Sequence, residues 1–160
     1  MSVLLFTYQV CRCCAPIAFA MLAAACSIKA EAQAPVRVTP VAASQARVWF
    51  YRVFFPEDTG GMPAVAMNGK TVGYARAGWS FYRDVPAGAY HVTVESFIQD
   101  PSQAKDIVLA PGQQIDLAIQ SDPGWISNLG GFRRGTYYVG IEPARIAEIH
   151  LSQTQFGDGY

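Results

Sequence analysis

From Ala46 onward the chain runs as short apolar-rich segments separated by turn residues. ARVWFYRVFF (46–55) is dense in aromatic and β-branched residues and stops at Pro56, the pattern of a strand. AVAMNGKTVGYA (64–75) places Asn68-Gly69 between two short strands. Both residues tolerate positive φ, so a two-residue type I′ hairpin is expected. WSFYRDV (79–85) is a further strand, turned by Pro86-Ala87-Gly88 into AYHVTVESF (89–97). KDIVLAPGQQIDLAIQ (105–120) holds two strands around Pro111-Gly112, which suits a type II turn, and TYYVGI (136–141) is another strand. PARIAEIHLS (143–152) opens with Pro at a first helical position and spaces Ile146, Ile149 and His150 helically. This predicts a short C-terminal helix, with a strand over Ala147–Leu151 as the alternative. Strands separated by turn signals at intervals of about eight to twelve residues predict an all-β fold. The expected architecture is a small antiparallel β-sandwich of immunoglobulin-like or prealbumin-like type.

The N-terminal third breaks this pattern. Residues 1–26 carry one charged side chain, Arg12, followed by the apolar run APIAFAMLAAAC (15–26). A cationic lead, about a dozen apolar residues and then small residues is the layout of a helical secretory signal. The run is shorter than the roughly 20 apolar residues of a membrane span. Two cut sites compete. Leu22-Ala23-Ala24-Ala25-Cys26 resembles a lipobox, with Cys26 the lipidated residue and its leucine one place further out than preferred. Ala30-Glu31-Ala32 is an A-x-A site that would release a soluble protein beginning at Gln33. Residues 27–45, rich in Ala and Pro, read as a linker. The expected organisation is therefore a signal segment over 1–26 (to 32 if cut at the A-x-A site), a linker over 27–45, a β-sandwich domain over 46–152 and a tail over 153–160.

Charge and cysteine usage narrow the function classes. The 160 residues carry 12 basic and 12 acidic groups. A balanced chain without basic clusters argues against a nucleic-acid partner. All four cysteines (Cys11, Cys13, Cys14, Cys26) lie in the signal segment, so the mature domain has no disulfide framework and relies on an ordinary core. Beyond that segment His91 and His150 are the chain's only histidines, and no acidic cluster has calcium-loop spacing, so neither a metal nor another cofactor is expected. No G-x-S-x-G motif, reactive cysteine or phosphate loop is present.

FYRDVPAGAYHVTVES (81–96) carries an arginine, an acid and a histidine close together. In AYHVTVE, Tyr90, Val92 and Val94 fall on one face and His91, Thr93 and Glu95 on the other, as in a strand with one solvated side. His91 is then a surface residue, and nothing in the spacing brings Asp84 within reach of it. The stretch reads as architecture, and no catalytic residue is assigned.

In order, ARVWFYR (46–52), MNGKTVG (67–73), AGWSF (77–81), VPAGAYHV (85–92) and LAPGQ (109–113) resemble an uncharacterised family of bacterial lipoprotein-like domains, known only as a domain of unknown function. The resemblance covers roughly residues 46–120 and extends more weakly to about 152. It implies a small envelope β-sandwich behind a lipoprotein signal, and carries over no catalytic residues.

Two features are candidates for binding. SDPGWISNLGGFRRG (121–135) reads as a long loop that combines Trp125, Leu129 and Phe132 with Arg133 and Arg134, its aromatic and arginine residues being types enriched in binding hot spots. Strand 46–55 puts Trp49 and Tyr51 on the face opposite Val48 and Phe50. Those aromatics must be covered, by the terminal helix or the 121–135 loop, or else form a partner surface. The leading expectation is a non-enzymatic envelope domain with a binding or accessory role, outer-membrane anchored and facing the periplasm, or soluble if cut after Ala32. Its partner would be an envelope protein or a cell-wall polymer. The alternative is a secreted carbohydrate-binding module or small hydrolase that uses Trp49, Trp79 or Trp125 as a stacking platform.

Overall fold

The aromatic segment at 46–55 does form a strand, and it lies in the middle of the larger sheet. The computed structural model describes residues 39–56, 58, 61–97, 99–127 and 134–160, with the side chains of 122–127 and 134 excepted. The signal segment with Cys26, most of the linker, Phe132 and Arg133 lie outside the described residues. Among the described residues the strands are β1 (Gln45–Arg52), β2 (Ala64–Met67), β3 (Lys70–Tyr74), β4 (Trp79–Pro86), β5 (Gly88–Val94), β6 (Lys105–Leu109), β7 (Gln114–Ser127), β8 (Arg134–Ile141) and β9 (Gln155–Phe156). A 3-10 turn covers Pro101–Gln103, and helix α1 covers Ala144–Ser152.

One sheet has the order β8-β7-β1-β4-β9 and the other β3-β2-β5-β6. The expected all-β sandwich is what forms, with two departures from a wholly antiparallel arrangement. β1 pairs with β7 in parallel, and β4 pairs with β9 in parallel. Asn68 (φ 50°) and Gly69 (φ 77°) both take positive φ, as the hairpin between β2 and β3 requires. Gly112 (φ 75°) does the same after Pro111. The Pro86-Ala87-Gly88 segment is a corner rather than a hairpin, because β4 and β5 belong to different sheets.

The period-2 pattern divides each strand. Ala46, Val48 and Phe50 of β1 face the second sheet and pack with Val65, Val92, Leu109, Leu117 and Val139, all at most 2% exposed. Each such valine, leucine or phenylalanine side chain contributes about 1.5–3 kcal/mol of transfer free energy. Phe50 stacks on Phe81 with centroids 5.1 Å apart, because the β1–β4 register sets them opposite one another.

Helix α1 covers the outer face of the larger sheet. The helical periodicity predicted the element correctly, but its buried side is Ala147, not Ile146 or Ile149, which point to solvent. Ala147 packs against Tyr51 and Ala118, with Leu151 and Val53 alongside. Residues 153–160 hold β9, and beyond it the Gly159 carbonyl accepts the Tyr74 N–H at 2.7 Å, tying the β4 side of one sheet to β3 of the other. On the opposite side, the Gly135 carbonyl accepts the Phe97 N–H and the Ser96 hydroxyl accepts the Tyr137 N–H. Both open sides of the sandwich are thus partly strapped, which blunts exposed strand edges.

Candidate functional site

Side chains of the 81–96 stretch separate in space. Asp84 sits directly across from Arg47 in the β1–β4 register, and its two oxygens accept Arg47 Nε and Nη2, each at 2.7 Å. Arg47 is 1% exposed; it also donates to the Thr39 carbonyl and lies over the Tyr82 ring at 3.9 Å. Arg83 donates to the carbonyls of Tyr82 and Asp158. His91 is on the other sheet, exposed, with Nδ1 2.7 Å from Asp106 on the neighbouring strand. His91 is therefore a surface residue as expected, and its neighbour is Asp106 rather than Asp84.

A network that sequence patterning did not suggest lies under α1. Tyr51 is 1% exposed, so it belongs to no exposed surface, and its hydroxyl donates to Glu142 Oε2 at 2.6 Å. His150 Nδ1 lies 2.8 Å from the same oxygen, and Gln120 donates to Glu142 Oε1 at 3.4 Å. Burial raises the Tyr51 phenol far above its ordinary range, and Glu142 pushes it the same way. The arrangement clamps the helix: β1, β7, the β8–α1 junction and α1 each supply one member. The only signal available in sequence was a histidine on a helical face with a glutamate just before the helix.

Asp116 of β7 titrates above the usual carboxylate range, chiefly through burial, then through the charges of Glu148 and Glu142. An acid with a raised native pKa binds its proton more tightly when folded. Stability therefore falls as pH rises through the interval between the ordinary value and the raised one, and the cost persists above it. Asp116→Asn is expected to stabilise the protein at neutral pH by at most about 0.5 kcal/mol, since water screens a half-buried group. Urea midpoints should show that advantage at about pH 7 and lose it near pH 3, where both side chains are neutral. An advantage of equal size at both pH values would remove the electrostatic explanation.

Trp49 is half-buried. Its ring lies 5.1 Å from Tyr82 and 5.9 Å from Phe156, and Tyr82 and Phe156 stack at 5.6 Å. Cover for the outer aromatics thus comes from α1 over Tyr51 and from β4 and β9 beside Trp49. The 121–135 segment departs from the long loop expected of it: β7 continues to Ser127 and β8 begins at Arg134, with a register break between Asp122 and Ser127. Trp125 and Arg134 are strand residues.

A small cavity of about 260 Å³ forms where the C-terminal strap crosses the sandwich, walled by Tyr74, Trp79, Phe81 and Tyr160 with Arg76 and Asp158 among its lining. The Arg76 guanidinium lies 4.7 Å from the centre of the Trp79 ring. Gly157 permits the strap's approach, since a Cβ there would come within 3.0 Å of that ring. Trp79 was the sequence's one pointer to this place; the strap residues carry no motif. Among the described residues there is no His/Cys/Asp/Glu group able to hold a metal ion, and no helix long and apolar enough to cross a membrane. No protein-family model matches the chain, and no curated protein is similar to it in sequence.

Proposed function

We propose that the chain is the precursor of an exported, non-enzymatic cell-envelope β-domain with a binding or accessory role. In this reading it is held at the outer membrane through lipidated Cys26, or released into the periplasm by cutting after Ala32. One observation carries it: a signal-like segment holds every cysteine and ends in a small-residue cysteine site, and a cysteine-free domain follows. The resemblance to bacterial lipoprotein-like domains supports the same setting. The absence of an enzymatic role is supported by how the domain uses its ionisable groups. Arg47 and Arg52 are locked to Asp84 and Asp58, and His150 is held by the glutamate that also takes the Tyr51 hydroxyl.

The intact mass of protein purified from its host's membranes tests this. A chain starting at Cys26 with added acyl mass, or a soluble species starting at Gln33, is the expected result. An uncleaved chain would overturn the exported reading. A carbohydrate-binding role is the second reading, favoured by the half-exposed Trp49, Tyr82 and Phe156 rings beside Asp116, which faces Trp49 across the β1–β7 pair.

A further inference from the structure

We infer that the cavity beneath the C-terminal strap is a binding site for a small carboxylate with an apolar, ring-sized body. This deepens the binding role proposed above and rests on it for the ligand's setting.

The walls come first. Tyr74, Trp79, Phe81 and Tyr160 present aromatic surface around about 260 Å³. That lies just under the roughly 300–1,000 Å³ of pockets that take drug-sized molecules, so the occupant is small. The site is built by the fold rather than left by loose packing. Arg83 holds the strap by donating to the Asp158 carbonyl at 2.7 Å, and the Gly159 carbonyl accepts the Tyr74 N–H. Glycine stands at 157 and 159, where a Cβ would reach the Trp79 ring at 3.0 Å and the Phe81 ring at 2.8 Å.

Charge then selects the ligand. Arg76 is exposed and, among the described residues, has no carboxylate within ion-pair distance, unlike Arg47 and Arg52. Its guanidinium is stacked on Trp79 at the cavity, so its N–H donors are presented beside an aromatic wall. A planar fork of donors matches a carboxylate, and stacking fixes its orientation. Asp158 also lines the cavity, with Oδ1 accepting the Tyr160 N–H. A neighbouring carboxylate disfavours a doubly charged phosphate and leaves a monoanion as the better match. The apolar body lies among the rings, and the carboxylate lies at Arg76.

Phenylacetate is a suitable probe. Isotope-labelled protein purified from its own host is titrated with it, alongside neutral 2-phenylethanol and N-acetylglucosamine. Phenylacetate is expected to shift the Trp79 indole N–H and the amides of Arg76 and residues 157–160, with a dissociation constant of about 1 mM. Arg76→Gln should weaken it about tenfold, the loss of a charge-assisted hydrogen bond at a partly exposed site. The neutral alcohol should bind the unmodified protein as weakly as the acid binds that variant. Arg76 is exposed and makes no ion pair among the described residues, so the variant keeps its fold.

The inference is overturned if those signals stay unmoved up to about 10 mM, if acid and alcohol bind equally, or if Arg76→Gln has no effect. A sugar that shifts the same signals at lower concentration overturns it in favour of a glycan site. The intact mass separates this from the exported reading. An uncleaved chain with a working titration sinks export and leaves the site, and a correctly processed chain with a silent titration does the reverse.

Discussion

Replacing Arg52 by alanine is expected to lower the unfolding free energy by about 3–5 kcal/mol, seen as a fall in the urea midpoint at an unchanged slope. Arg52 ends β1 and is 1% exposed, and the side chain of its partner Asp58 is 3% exposed. Nε and Nη2 donate to the two Asp58 oxygens at 2.9 and 2.5 Å, while Nη1 donates to the carbonyls of Gly61 and Ala75. The guanidinium also lies 4.7 Å from the centre of the Tyr137 ring. Alanine would take these donors away from a buried carboxylate and two carbonyls, and it is this loss of pairing under burial that costs most. Against a typical total of about 5–15 kcal/mol the loss is a large fraction. Arg52→Lys keeps the charge but not the fork, and should recover less than half of it. The combined Arg52→Met, Asp58→Leu protein should lie well above the alanine variant, because neither charge is then stranded. A loss of about 1 kcal/mol or less for alanine would mean that water reaches Asp58, and that this ion pair does not hold Asp58 to the end of β1.

That clamp marks where sequence reasoning stops. The strands of the domain were legible because their alternation is local: Val48 and Phe50 against Trp49 and Tyr51 sort by face without any knowledge of neighbours. The Asn68-Gly69 hairpin was legible for the same reason, since positive φ is a property of the residues themselves. What joins the strands is non-local. Two arginines within an aromatic run could be noticed, but that Arg47 meets Asp84 follows from the β1–β4 register, and that Arg52 meets Asp58 follows from how the loop folds back. The parallel β1–β7 pairing has no short-range signature, because its partners are separated by the whole of the second sheet. The loop expected over 121–135 was misjudged through composition: Pro123 and Gly124 are turn residues, yet β7 runs through them with a register break. Likewise Ile146 and Ile149 met the helical spacing, while the helix turned Ala147 inward against Tyr51 and Ala118.

The cavity's inner wall leads to the second large effect. Phe81→Ala is expected to cost about 3–5 kcal/mol, the range for truncating a buried aromatic. The ring is 3% exposed, stacks on Phe50, and is the surface against which two glycines are pressed. A Cβ on Gly73 would lie 2.6 Å from the Phe81 ring and 3.1 Å from the Gly159 carbonyl oxygen. Gly73 follows the irregularity in the β2–β3 pairing, where Ala66 pairs with Thr71 but Val65 pairs with Gly73. The glycine could be explained by that bulge alone or by the ring alone, and a double-mutant cycle separates the two. If the ring is the reason, Gly73→Ala costs about 1–3 kcal/mol in the unmodified protein and clearly less once Phe81 is alanine, the remainder coming from the 3.1 Å approach to the Gly159 carbonyl. The coupling is then most of the single-site cost. Additive losses would assign Gly73 to the bulge and remove the steric argument. Gly159 is the poorer reporter, because its φ of +83° penalises any side chain whether or not the ring is present. Amide exchange supplies an independent reading of the same seam. The Tyr74 N–H bonded to Gly159 should exchange faster in Phe81→Ala by more than global destabilisation alone allows, because the strap loses the surface that holds it against β3.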